Sequence, residues 1–98
     1  MKIALSKFGY ILISRQSGKE AYAAFLPTLN TIGKDEEVCV DFSGVNTFSP
    51  SWGDEFLSPL IERFGDRLKM ANAAENPSVV LTLELLEKMQ GYKFQMEK

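Results

Sequence analysis

The stretch Val38-Cys39-Val40-Asp41-Phe42-Ser43-Gly44-Val45-Asn46-Thr47-Phe48-Ser49-Pro50-Ser51-Trp52-Gly53-Asp54-Glu55 decides the fold. Val38, Val40 and Phe42 recur every second residue and are β-branched or aromatic, which suits a buried strand. Ser43-Gly44 ends that strand. Asp41 stands at its close, where a carboxylate accepts N–H groups of the following turn, so Asp41 and Gly44 are read as structuring the loop. Ser49-Pro50 then starts a helix. A serine hydroxyl caps a free backbone N–H, and proline at the first helical position gives up no useful donor.

Outward from this centre the pattern alternates. Lys2 to Leu5 and Tyr10 to Ile13 are short extended pieces separated by a turn at Gly9. Ser14 or Ser17 caps a first helix in which Ala21, Phe25 and Leu29 recur about one turn apart; it carries through Pro27 and stops at Gly33. The helix after Ser49-Pro50 places Trp52, Phe56, Leu60 and Phe64 on one stripe, with Pro59 inside it and Gly65 as its stop. Arg67 to Ala71 is a further strand. Asn76-Pro77 repeats the cap-plus-proline signal before a third helix from Ser78 to about Gln90, and Tyr92, Phe94 and Met96 alternate as a last strand. The order predicts one α/β domain over residues 1–98: a mostly parallel sheet of four to five strands packed with about three helices.

Composition narrows the chemistry. Ninety-eight residues, 45% of them hydrophobic, suffice for a single core and are too apolar for a disordered chain. A net charge of −2 without a Lys/Arg run argues against a dedicated nucleic-acid surface. The absence of histidine removes Ser-His-Asp triads, Cys-His pairs and histidine metal sites. Cys39, the only cysteine, cannot form an intramolecular disulfide and reads as a small buried hydrophobe. Neither phosphate-loop glycine pattern occurs, so no metal or cofactor is expected. No leader-like apolar run and no membrane-length stretch is visible, and the expected location is the cytoplasm.

The candidate functional residues surround the start of the second helix. Ser51 lies in its first turn, where free N–H groups favour an anion, so a phosphoryl group would be well placed on it. Asp54 follows three residues later and can pair with Ser51 as in a capping box. Asp54 and Glu55 also suit the helix N-terminus electrostatically and would repel a phosphate on Ser51. Trp52 is either a cover for the core or a partner-binding anchor, and Phe48 carries the same ambiguity. With Ser49, Asp54 and Glu55 they form the expected partner-binding surface. Arg15 is read as an ion-pairing residue near the first helix start. No catalytic residue is assigned. The alternative is a small enzyme or ligand-binding protein using Asp41, Ser51 and Asp54 around a pocket.

Asp41-Phe42-Ser43-Gly44-Val45 and Ser51-Trp52-Gly53-Asp54-Glu55 together resemble a family of STAS-like domains of unknown function, whose pattern runs D-F-x-G-V, a short loop, then S-F-x-D-E; Ser14-Arg15 fits its N-terminal part. The stretch also looks like the STAS domain of anti-sigma factor antagonists. There Ser49 stands in place of an aspartate, Pro50 in place of a first serine, and Trp52 in place of a glycine. The resemblance implies a STAS-like α/β fold and a non-catalytic regulatory module. It implies a protein partner of the histidine-kinase-like ATPase class, with Ser51 at the position of the antagonists' phosphorylated serine. A weak homodimer, through the terminal strand, stays open.

Overall fold

In the computed structural model, which describes residues 1–97, the elements follow in the order β1 (Lys2–Ala4), β2 (Ile11–Leu12), α1 (Arg15–Leu29), β3 (Val38–Asp41), β4 (Thr47–Phe48), α2 (Pro50–Phe64), β5 (Leu68–Ala71), α3 (Pro77–Gln90) and β6 (Gln95–Met96). Single 3-10 turns at Leu5–Phe8 and Gly65–Arg67 join β1 to β2 and α2 to β5. The caps predicted from sequence are made. Ser14, Ser49 and Asn76 each accept a backbone N–H from the first turn of the helix they precede.

The main sheet is wholly parallel in the order β1-β3-β5-β6. Its strand order advances in one direction. Right-handed crossovers then place α1, α2 and α3 on the same face. The side chains agree: Ile3, Val40 and Met70 stand in register and are fully buried, as are Val38 and Leu68. The alternate row reads Lys2, Cys39, Lys69, Gln95, with exposed polar groups at both ends. Cys39 is buried on this row, and its burial pushes the thiol up to about 11, so it stays protonated at neutral pH.

Three sequence expectations need correction. The extended piece at Tyr10 to Ile13 does not join the main sheet; β2 pairs with β4 in a separate parallel ribbon, Ile11 against Thr47 and Leu12 against Phe48. The strand β4 was not expected at all, which brings the total among the described residues to six. The first helix ends at Leu29, not Gly33. Pro27 is tolerated because it lies in the last turn, and both it and Ala23, whose carbonyl loses its helical donor, are exposed residues. Among the described residues no helix is long and apolar enough to cross a membrane.

Within the helical layer α2 is central, with α1 on one side and α3 on the other. The contact between α1 and α2 is close because Gly18 has no side chain: a Cβ there would come within 2.7 Å of the Trp52 carbonyl oxygen.

Candidate functional site

The ribbon of β2 and β4 delivers the chain to two helix starts side by side. Leu12 accepts the Ser49 N–H at 2.9 Å, and the Ser49 hydroxyl donates to the Ile13 carbonyl at 2.7 Å while accepting the Trp52 N–H at 3.2 Å. The residue just before α2 is thereby tied to the chain two and three residues before α1, which holds the two N-terminal turns together. Two positive dipole ends share one surface, which suits negative charge.

The charge is supplied by α2 and balanced by α1. One guanidinium nitrogen of Arg15, Nη1, donates to Asp54 Oδ2 at 3.0 Å and to Glu55 Oε2 at 2.6 Å. Asp54 Oδ1 accepts the Ser58 hydroxyl at 2.8 Å, and Ser58 in turn accepts from Gln90 of α3 at 3.0 Å. A single polar chain thus crosses all three helices. The Ser58 hydroxyl and then Arg15 hold the Asp54 carboxyl below its ordinary value, while Asp54 and Glu55 raise the Arg15 guanidinium. Asp54 is therefore not the capping-box partner of Ser51. Its carboxylate points along and across the helix, because Ser49 already caps the turn and Arg15 competes for it. Ser51 sits half-buried in the first turn, three and four residues ahead of the two carboxylates.

The aromatic candidates lie beneath this surface. Trp52 is fully buried and stacks on Phe56 at 5.0 Å, with Phe48 edge-on at 5.8 Å and Phe8 at 6.1 Å. Phe48 is likewise buried, against Phe42. The expectation of Phe48 and Trp52 as exposed partner-binding anchors is corrected: both rings belong to the core, which leaves Asp54, Glu55 and the half-buried Ser49 and Ser51 at the surface. The Trp52 indole N–H finds no acceptor there, a polar atom given up to aromatic packing.

Asp41 belongs to a different place, the loop after β3. Its Oδ1 accepts the Ser43 N–H at 3.0 Å and the Asn72 amide at 2.7 Å, and Lys2 Nζ lies 3.5 Å from Oδ2. Burial opposes its charge, yet Asn72, Ser43 and Lys2 outweigh burial and hold the carboxyl below its ordinary value. Gly44 follows at φ +84°, a left-handed conformation that permits the tight turn. Beside it opens a cavity of about 440 Å³ lined by Ser43, Asn46, Asn72 and Asn76 among others. Asp41, Ser51 and Asp54 do not line it, and no described contact joins Asp41 to the other two, so the three do not form the pocket of the enzyme alternative. No group of three or more Cys, Asp or Glu among the described residues is arranged to hold a metal ion.

Sequence reasoning missed two structural contributors. Ser58 and Gln90 carry the polar chain from Asp54 to α3, and only their placement on facing helix sides, set by tertiary packing, marks them.

A family described as STAS-like domain of unknown function (DUF4325) matches residues 17–77, from the first turn of α1 to the start of α3. The match contains Asp41, Gly44, Ser51, Asp54 and Glu55 and leaves out Arg15 and nearly all of α3. No curated protein and no solved structure matches the chain.

Proposed function

The chain belongs to the family of STAS-like domains of unknown function, and from that premise we propose that it is a non-catalytic regulatory module that docks the paired N-terminal turns of α1 and α2 on a protein partner. The observation that carries this reading is the Arg15–Asp54–Glu55 cluster. It is a charged, partly exposed device set on a rigid aromatic base, at a place where the packed core alone does not require charge. Surface ion pairs of this kind add little stability and are suited to steering and to selecting a partner.

The same cluster gives Ser51 a way to act. A phosphoryl group on Ser51 would stand one helical turn ahead of Asp54 and Glu55 and compete with them for Arg15. A phosphoryl group accepts two parallel hydrogen bonds from a guanidinium as a carboxylate does, and carries more negative charge than either carboxylate alone. The switch in this reading is a transfer of Arg15 from the carboxylates to the new anion, with the fold unchanged. The family resemblance suggests an ATPase of the histidine-kinase-like class as the partner, serving also as the kinase.

The test is parallel affinity capture from native lysate on wild type, Ser51→Ala, Ser51→Asp and Arg15→Ala baits, with mass spectrometry of the retained proteins. An ATPase of that class retained by wild type and Ser51→Ala, and lost on the other two, is the expected result. The same proteins retained by all four baits would contradict the reading.

A further inference from the structure

The cavity of about 440 Å³ beside Gly44 lies off the carboxyl ends of β3 and β5 and shares no lining residue with the Arg15 cluster. Its two walls are the chain from Phe42 to Asn46 and the chain from Asn72 to Pro77. Side chains clamp these walls to each other. Asn72 donates to Asp41 Oδ1 at 2.7 Å, and Asn76 donates to the Val45 and Asn46 carbonyls, each at 2.9 Å. Asn76 also caps α3, so both ends of its amide are fixed. Asn72 stands at φ +57°, uncommon outside glycine, with its amide on Asp41. The opening is therefore set before anything enters it, which lowers the ordering cost of binding.

The clamps use only part of the hydrogen-bonding capacity of the lining. Asn72 Oδ1 is left over, as is Asn46 Nδ2, since Asn46 Oδ1 accepts from Thr47. The Ser43 hydroxyl, the Gly44 N–H and the Glu75 carboxylate have no partner among the described residues. Donors and acceptors are thus mixed along one opening. No lysine or arginine lines it, and its one formal charge is the Glu75 carboxylate, which disfavours phosphate and carboxylate ligands. An ammonium would satisfy Glu75 but leave the Gly44 and Asn46 donors without an acceptor. A wholly apolar ligand would leave every one of these groups unpaired. The lining is satisfied by an uncharged molecule dense in hydroxyls, each of which both donates and accepts. Pro77 offers an apolar surface to the C–H side of such a ring. We propose that this cavity binds a neutral cyclic polyol of pentose or hexose size, free or as the sugar of a nucleoside, with Glu75 and Asn72 accepting from its hydroxyls and Ser43, Gly44 and Asn46 donating to them. The volume falls within the range of roughly 300–1,000 Å³ that small-molecule sites occupy. The site uses no group of the Arg15 cluster, so it stands or falls apart from the docking reading.

NMR titration of the nitrogen-labelled full chain tests this in wild type, Glu75→Ala and Ser43→Ala. The probes are D-ribose, D-glucose, myo-inositol and adenosine, with ribose 5-phosphate and putrescine as charged comparisons. Both substituted residues are exposed, and the Trp52 indole signal reports that each variant is folded. At least one neutral probe should give saturable shifts confined to the Gly44 and Asn46 backbone amides and the Asn46 and Asn72 side-chain amides. Its affinity should fall by at least about tenfold in Glu75→Ala and by about three- to tenfold in Ser43→Ala. Saturation by adenosine and by no free polyol would assign the sugar to a nucleoside; saturation by a free polyol would assign it to a sugar on its own. Three results would overturn the proposal: no saturable shift from any neutral probe up to its solubility, tighter binding of ribose 5-phosphate or putrescine than of every neutral probe, or equal affinity in all three proteins.

Discussion

The second and third helices begin alike and finish differently. Both start with a polar cap followed by proline, Ser49-Pro50 and Asn76-Pro77, and both bury a stripe against the sheet. The second helix has neighbours on both sides, and its outward turn carries Asp54 and Glu55, answered by Arg15 from the first helix. The third lies at the margin of the layer. It buries Val79, Thr82, Leu83 and Leu86 and turns Leu81 and Leu85 to solvent. Position in the layer, more than helix propensity, separates a charged surface from an apolar one.

The contrast breaks most easily at Trp52. Trp52→Ala should lower stability by about 3–5 kcal/mol in urea unfolding, since it empties the centre of the aromatic cluster. A loss below about 1 kcal/mol would return Trp52 to the surface. Gly18→Ala comes next, with an expected loss of about 1–3 kcal/mol, because the new methyl meets Trp52 backbone and one of the two helices must shift. Within the third helix the two sides can be compared directly. Thr82→Val removes the bond to the Phe48 carbonyl at nearly constant shape and should cost about 1–2 kcal/mol. Leu81→Ala should stay within about 0.5 kcal/mol under conditions where the chain is monomeric.

Arg15→Ala is expected to change stability by less than about 1 kcal/mol, as an exposed pair should. Its effect should appear in the pH dependence. The Asp54 carboxyl is held below its ordinary value in the folded chain. Its contribution is therefore present above the ordinary carboxylate range, about 3.9, and is lost as pH falls through the lower folded value. Acid titration of unfolding should show a shallower loss in Arg15→Ala and in Asp54→Asn than in wild type. Equal slopes in all three would remove the cluster from the account.

Much of this was legible in the sequence because it is local. Ser49-Pro50, Asn76-Pro77 and the alternation of Val38, Val40 and Phe42 each specify a start or a strand within a few residues. The ribbon was not legible. Thr47–Phe48 is only two residues long and acquires strand geometry by pairing with Ile11–Leu12, thirty-six residues earlier. That pairing also settled Trp52 and Phe48. Beside an ordinary loop they would face solvent, but this loop is strapped down by the ribbon and by Ser78 and Thr82 of the third helix. The Asp54 partner was misread for a related reason: the capping box is a local rule, and a guanidinium thirty-nine residues away prevailed over it.

The most direct test of the account follows the Arg15 side chain by NMR in protein carrying phosphoserine at position 51, with the unmodified chain as reference. The Arg15 Nε–H resonance should shift strongly, the Asp54 carboxyl should titrate closer to its ordinary value, and the Trp52 indole signal should stay where it was. An unmoved Arg15 resonance with an unmoved Asp54 titration would contradict the claim that Ser51, Arg15 and the two carboxylates form one switching surface.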